Sequence, residues 1–478
     1  PRDAPAKSAP KQARTGAVPG SPLAAPSSLP TSRLPARARG RGYFTGRSGM
    51  HVGQVVIDVA PLRESRDFRW LFAGRLVSNA GNVVAVTAAN WQVYQLTHSS
   101  LDVGLLTLAD SAGMLVGLLA GGILADRYDR RQVLLAVRLP QAALAALMLV
   151  NSLLARPGLW PIYVLTLGIG LLSGLGSPSA ISALPALVSS RQLAAAIALN
   201  SAGSQLGALV GPAIGGLLIA GPGLAVCYGI DAAAFAMFGL AMLAMRPLPP
   251  AQEDRPGLGL RSLVQGVKFV RRSGVVGGML LVDTSAMIFG MPTALFPALA
   301  AQHFHGGSAT FGLLAAAPGL GAVVGGATSG WVGGLRRPGL VVIGAGVVWG
   351  GAITAFGLVR SLPWALGFLA VAGAGDLISE VLRNALLQRY TPDRLRGRVS
   401  SLYLAQVNTA PALGNVEAGA VAQLISPVVS VVSGGLACVA GALLLGAVIP
   451  ALRHASLGQD SDQLGPGRRQ DRQAARCP

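Results

Sequence analysis

The sequence predicts an all-α membrane protein whose helices cross the bilayer twelve times, in two bundles of six. Three observations predict it. Charged residues fill only 12% of the 478 positions and hydrophobic ones 52%, whereas an average soluble domain carries roughly 25% charged residues. Apolar runs recur along the chain, each near the roughly 20 residues that a helix needs to span a bilayer. One polar segment, 247–274, divides the runs into six and six.

The elements follow in order. Residues 1–49 are rich in Pro, Ala, Ser and Arg, with nine Lys or Arg against one Asp and no apolar period. Such a composition predicts a disordered basic extension. It lacks the apolar core of a signal peptide. Met50 then opens a short cytoplasmic segment, 50–69, that reads as a natural start. The first bundle is expected over 70–246, with spans near 70–96, 101–125, 132–154, 160–186, 191–220 and 223–246. The central loop 247–274 is cytoplasmic and carries a surface helix around Leu260 to Val270. The second bundle is expected over 275–452, with spans near 275–300, 308–333, 338–360, 363–388, 398–424 and 427–452. A disordered cytoplasmic tail, 453–478, ends the chain. The 64 glycines suit helices that approach closely in lipid.

Loop charge sets the orientation. With the N-terminus inside, the inner loops hold Arg127, Arg130, Arg131, Arg191, Arg255, Arg261, Lys268, Arg271, Arg272, Arg336, Arg337, Arg389, Arg394, Arg396 and Arg398. The outer loops hold only Arg156 and Arg360. Positive charge concentrates on the cytoplasmic side of inner-membrane proteins, so both termini should be cytoplasmic. The same distribution explains the net charge of +19 without nucleic acid. Cys227, Cys438 and Cys477 form no spaced cluster, so neither a disulfide framework nor a metal site is expected. No nucleotide-binding loop or nucleophile elbow is present, and no enzyme activity or cofactor is expected. Only three of the 38 basic residues are Lys, a bias that suggests a GC-rich bacterial genome.

Two stretches carry mechanism. "GGILADRYDRR" follows the second span and packs five charges into the six residues from Asp126 to Arg131. "GALVGPAIGGL" lies in the fifth span and sets Gly207, Gly211 and Gly215 at four-residue steps on one helix face, with Gly216 beside them and a kink expected at Pro212. "SGWVGGLRRPG", 329–339, echoes the first stretch at the matching place in the second half, with the Arg pair but not the Asp. Six-span internal repeats mark transporters.

These motifs resemble the major facilitator superfamily. Gly122, Asp126, Arg127, Arg130 and Arg131 match its loop motif Gly-x-Leu-Ala-Asp-Arg-x-Gly-Arg-Arg, with Asp129 standing where Gly is usual. The resemblance implies a gate, with Asp126 against the N-terminus of the eleventh helix near Gly397 and Arg398, and the arginines adding ion pairs. The contacts would hold the cytoplasmic side shut and break when it opens. Gly207, Gly211, Pro212, Gly215 and Gly216 resemble the antiporter motif of drug–proton exporters, where this helix lines the interface between the halves. Over roughly 65–455, "QLTHSSLDVGL", "LFPALAA", "RRPGLVV" and "YTPDRLRGRVSSLYLAQ" look like the enterobactin exporters, a siderophore-secreting family. The loop Pro392 to Arg398 is shared with macrolide efflux pumps. The resemblance implies a monomeric protein that exports a small molecule, such as a catecholate siderophore, in exchange for protons. Macrolide or multidrug efflux is the alternative on the same scaffold, and a non-transporting receptor or scaffold is the alternative from another class.

Ionisable residues inside a span are costly and point to function. Asp110, Asp283, Asp376, Glu380 and Arg383 are the candidate proton or substrate sites. Asp376, Glu380 and Arg383 can share one face of the tenth helix. Asp376 falls near the midplane, where a carboxyl could exchange a proton. Asp231, Glu417, Arg75 and Arg138 also fall within spans and are expected nearer a membrane face. Trp91 and Tyr94 are expected to anchor the outer interface.

Overall fold

The computed structural model describes residues 58–249, 260–328, 335 and 337–456, with side chains omitted at 260–263. The extension 1–49, positions 50–57, part of the central loop, most of the 329–339 stretch (Arg336 included) and the tail from 457 lie outside the described residues. A short α1 (Ala60–Glu64) precedes the first long helix. The first half then comprises α2 (Arg66–Thr97), α3 (Ser100–Arg127), α4 (Arg130–Leu153), α5 (Leu159–Leu187), α6 (Leu193–Ala220) and α7 (Leu224–Leu243). The connecting segment carries α8 (Leu260–Arg272), at the surface position expected. The second half comprises α9 (Gly274–Phe289) continuing through α10 (Phe296–Ala298), then α11 (Ser308–Thr328), α12 (Pro338–Leu358), α13 (Leu362–Tyr390), α14 (Asp393–Leu424) and α15 (Pro427–Val448). The short α16 (Pro450–Arg453) closes the described part.

Ten of the described helical segments are long and apolar enough to cross a membrane, counting Gly274–His303 as one. The helices α2 and α14 are the longest, at 32 residues each, yet they are too polar to meet that standard. Their place in the fold explains the polarity, because both line the internal cavity described below.

Helix ends follow local chemistry. Ser65, Ser99, Ser273 and Ser426 each accept a backbone N–H at a helix N-terminus, which satisfies donors that the helix cannot. Asp129, the departure from the usual Gly of the loop motif, does the same for α4 through the N–H groups of Arg131 and Gln132.

The halves are packed alike. In the first, α3 crosses α5 with almost no side chain between them: a Cβ on Gly113 or Gly117 would stand 2.2 or 2.0 Å from a carbonyl of α5. In the second, α11 crosses α13 in the same way at Gly321 and Gly325. Such backbone-to-backbone approach is how helices associate where no hydrophobic force separates protein from lipid.

One expected span breaks well inside its run. The run 275–300 breaks at Gly290, resumes as a 3-10 turn at Thr293–Leu295, and ends in a π-helical turn at Leu299–His303. Pro292 has no N–H and its ring blocks a continuing helix. Backbone groups freed by a break in lipid need partners. Asn415 Oδ1 accepts from the Ala294 N–H and from Thr293 Oγ1, both at 2.9 Å, and Trp349 Nε1 donates to the Gly290 carbonyl at 2.7 Å.

Candidate transport pathway

Between the halves the chain is closed at one end only. At the end farther from the 126–131 loop, α3 meets α14, where a Cβ on Gly104 would lie 2.5 Å from the Asn415 carbonyl and one on Gly419 2.7 Å from that of Ser100. There α6 also meets α11, with Gly216 facing Gly312 and the Ser308 carbonyl. Trp91 of α2 is buried and stacks on Phe311 of α11, ring centroids 5.7 Å apart, and Tyr94 accepts a hydrogen bond from Gln302. Trp91 and Tyr94 therefore seal one half against the other, where membrane anchoring was expected. Trp160 and Trp364 are the exposed tryptophans near that end.

At the loop-motif end the apolar clusters keep to their own halves. Phe68, Leu134, Phe238 and Met242 form one, and Met279, Leu382, Leu386 and Val399 the other. Asp126 is exposed and makes no ion pair or hydrogen bond among the described residues. The expected contact with the start of α14 is not formed in this conformation. The arginines differ from expectation too. Arg131 donates to the carbonyls of Met242 and Leu243, at 2.7 and 3.0 Å, capping the end of α7 in its own half. Arg130 is buried, and its backbone N–H binds the Leu248 carbonyl. Arg127 is exposed, and Gly122 lies one turn before this loop on α3. None of the three arginines forms an ion pair among the described residues. Across the gap, Arg398 of α14 hydrogen-bonds Gln265 of α8.

The glycine series of α6 has two separate uses. Gly207, Gly211 and Gly215 face Asn79, Val83 and Thr87 of α2, which lie at the same four-residue step, so the groove is filled from within the first half. Gly216 and the Pro212 carbonyl instead face Gly312 of α11 across the halves.

Two cavities open inside. One, of about 220 Å³, is lined from the first half by Asn90, Thr107, Asp110, Tyr228 and Asp231 and closed by Pro411 and Asn415 of α14. The other, of about 180 Å³, lies in the second half and holds Asp283, Asp376 and Arg383 beside Trp349 and Met291. Arg383 Nη1 lies 2.7 Å from Asp283 Oδ1 and donates to Ser379 Oγ at 3.0 Å. Its Nη2 lies 3.4 Å from Asp376 Oδ1. Gln406 of α14 donates to Asp283 Oδ2 at 2.9 Å. Of the three tenth-span candidates, Arg383 and Asp376 come together as expected. Glu380 is exposed and outside the cluster, and Asp283 takes the place on Arg383 that Glu380 was expected to share. In the first half, Asp231 is buried, 1% exposed, and lines the first cavity. Asn415, Gln406 and Tyr228 were not singled out from sequence. The signal that could have found them is a hydrogen-bonding side chain inside an otherwise apolar span.

A family model described as transmembrane secretion effector matches residues 57–466. The chain belongs to that family. It is a multi-pass membrane protein of the major facilitator superfamily. Among curated relatives, the enterobactin exporter EntS of Escherichia coli (strain K12) is 34% identical over 401 residues, covering 84% of this chain and 95% of the relative. The enterobactin exporter EntS of Citrobacter koseri matches to the same extent. Solved structures share the fold at low identity. A peptide transporter POT superposes with TM-score 0.66 at 14% identity, over 81% of this chain and 95% of that one. A bacterial homologue of the human lysosomal transporter Spinster, in an inward-facing and unoccupied conformation, superposes with TM-score 0.62 at 16% identity, over 81% and 95%.

Proposed function

We propose that this chain exports a small molecule across the inner membrane in exchange for protons, and that its substrate is a catecholate siderophore of the enterobactin type. The observation that carries this reading is the 34% identity to the enterobactin exporters across 84% of the chain. The geometry supports it. A cavity sealed at one end and unlatched at the other is what alternating access requires. With the arginine-rich loops inside, both termini are cytoplasmic and the open end faces the cytoplasm, where an exported molecule enters. Asp126, with Arg127, Arg130 and Arg131, belongs to the gate that closes this end in the opposite state. Asp110, Asp283, Asp376, Glu380 and Arg383 are the candidate groups for proton or substrate, and the protein works as a monomer.

In the cavity of the second half, Arg383 is the cation suited to an acidic phenol, and Trp349 and Met291 offer the apolar surface that a planar ring prefers. Deleting the gene should trap siderophore inside iron-starved cells of the source organism. Normal secretion in the deletion strain would overturn the substrate. A second reading, drug efflux on the same scaffold, is favoured by the mainly apolar wall of the first cavity, with Val86, Leu106 and Met148. Raised susceptibility of the deletion strain to a panel of antibiotics, with unchanged siderophore secretion, would select that reading.

A further inference from the structure

The charges of the first half have no role in the account above beyond general candidacy, and their geometry is unlike that of the second. Asp231 of α7 is 1% exposed, and one of its carboxylate oxygens is buried without a hydrogen-bond partner. Asp110 of α3 lines the same cavity. Neither makes an ion pair among the described residues. The cation of this region, Arg138 of α4, acts on Asp231 through space but makes no ion pair with it. It donates to Gln141 at 2.8 Å and lies over the Phe238 ring at 4.8 Å, while Gln141 is itself held by Ile169 and Ser173. A buried carboxylate without hydrogen bond or ion pair is costly by several kcal/mol. Binding a cation removes that cost.

The side chains around Asp231 bear on which cation. A metal ion needs several ligands gathered around it, and among the described residues no group of three His, Cys, Asp or Glu stands together to hold one. A proton needs none.

We propose that Asp231 and Asp110 together form the coupling-proton site of this transporter, in the first half and apart from the Asp283–Arg383 pair. This inference rests on the reading of the chain as a proton-coupled exporter. Protonation forms one O–H bond on a carboxylate and moves no electrons, and deprotonation returns the proton to water on the other side of the membrane. The wall opposite is α14, through Pro411, Ala412 and Asn415, which is also the helix that crosses α3 at the sealed end. A neutral carboxyl lets α14 close over it at little cost, and an ionised one holds the cavity wet. The ionisable groups bearing on this site are Asp110 of α3, Arg138 of α4 and Tyr228 of α7, with Arg75 of α2 acting on Arg138 and Cys227 on Tyr228. The side chains that α5 and α14 bring to the cavity are uncharged.

The test uses the full chain in proteoliposomes with enterobactin as probe, comparing accumulation driven by a pH gradient with equilibrium exchange at equal pH. Exchange needs no net proton movement. D231N and D110N should lose gradient-driven accumulation and keep exchange, whereas R383Q should lose both. Gradient-driven accumulation at the parental rate in both Asp variants would overturn the proposal, as would accumulation driven by sodium and not by protons. Should the variants fail to fold, dicyclohexylcarbodiimide, an apolar reagent for protonated carboxyls, is applied to the unmodified protein and located by mass spectrometry. Label on Asp231 or Asp110, lost at alkaline pH, supports the site. Label confined to Asp283 or Asp376 overturns it. If the unmodified protein moves no enterobactin under any gradient, the substrate reading fails, while the carbodiimide result still decides the proton site.

Discussion

In the second half, Asp283 meets Arg383 at 2.7 Å and Gln406 at 2.9 Å, and every charge in its cavity has a partner. In the first half, Asp231 is equally buried, at 1% against 2%, but no guanidinium reaches it within ion-pair distance. The helix packing of the halves is nearly interchangeable, with glycines of α3 on α5 and of α11 on α13. A repeated scaffold thus carries two treatments of buried charge. A bonded pair resists change, and a lone carboxylate responds to whatever cation reaches it. The difference teaches that the repeat sets where helices cross, while single side chains set which buried charges are paired.

The largest expected effect breaks the second half's pair. Arg383→Gln leaves Asp283 buried and unpaired, which should destabilise the protein by about 3–5 kcal/mol. Thermal unfolding in detergent checks this, and a double change of Arg383→Met with Asp283→Leu should recover most of the loss. If the single variant melts with the parent, the pair is not the anchor described here. Next is the broken span. Asn415→Ala strips the acceptor from the Ala294 N–H and the Thr293 hydroxyl, at about 1–3 kcal/mol, and the same melting assay reads it. A smaller effect tests the motif loop within its own half. Arg131→Ala removes two hydrogen bonds from the end of α7, for about 1 kcal/mol, with faster hydrogen exchange of the last turn of α7 as its local signature. The smallest stability effect belongs to Asp126→Asn, which should leave the melting midpoint unchanged because the side chain is exposed and unpartnered here. Transport by the same variant should slow, since the latch would be needed only in the opposite state. Unchanged transport would remove Asp126 from the gate.

Helix positions were legible because the bilayer imposes a length and a polarity that any span must show. Ten of the twelve predicted spans correspond to single helices over their described residues, within a few residues at most ends. The run 427–452 parts at Ile449 into α15 and the short α16, before Pro450. The other exception, at Gly290 and Pro292, was written in the sequence as a Gly–x–Pro inside an apolar run, but apolar content outvoted it. The Gly207, Gly211 and Gly215 groove was legible for a similar reason, because a four-residue step on a helix can face only one neighbour. Which charge pairs with which was not. Arg383 lies three residues from Glu380 and a hundred from Asp283, and spacing alone favours the near partner.

By itself, then, the sequence determined the all-helical class, the recurrence of membrane-length helices, the charged loops and the glycine faces. Each is a local property, set by hydropathy, helical period or side-chain size within one segment. Only the tertiary structure decided that Arg383 joins Asp283, that Arg131 caps α7, and that Asp231 and Asp110 share one cavity. Those outcomes depend on how helices distant in sequence are turned toward each other, and a side chain bonds what the packed neighbour presents to it.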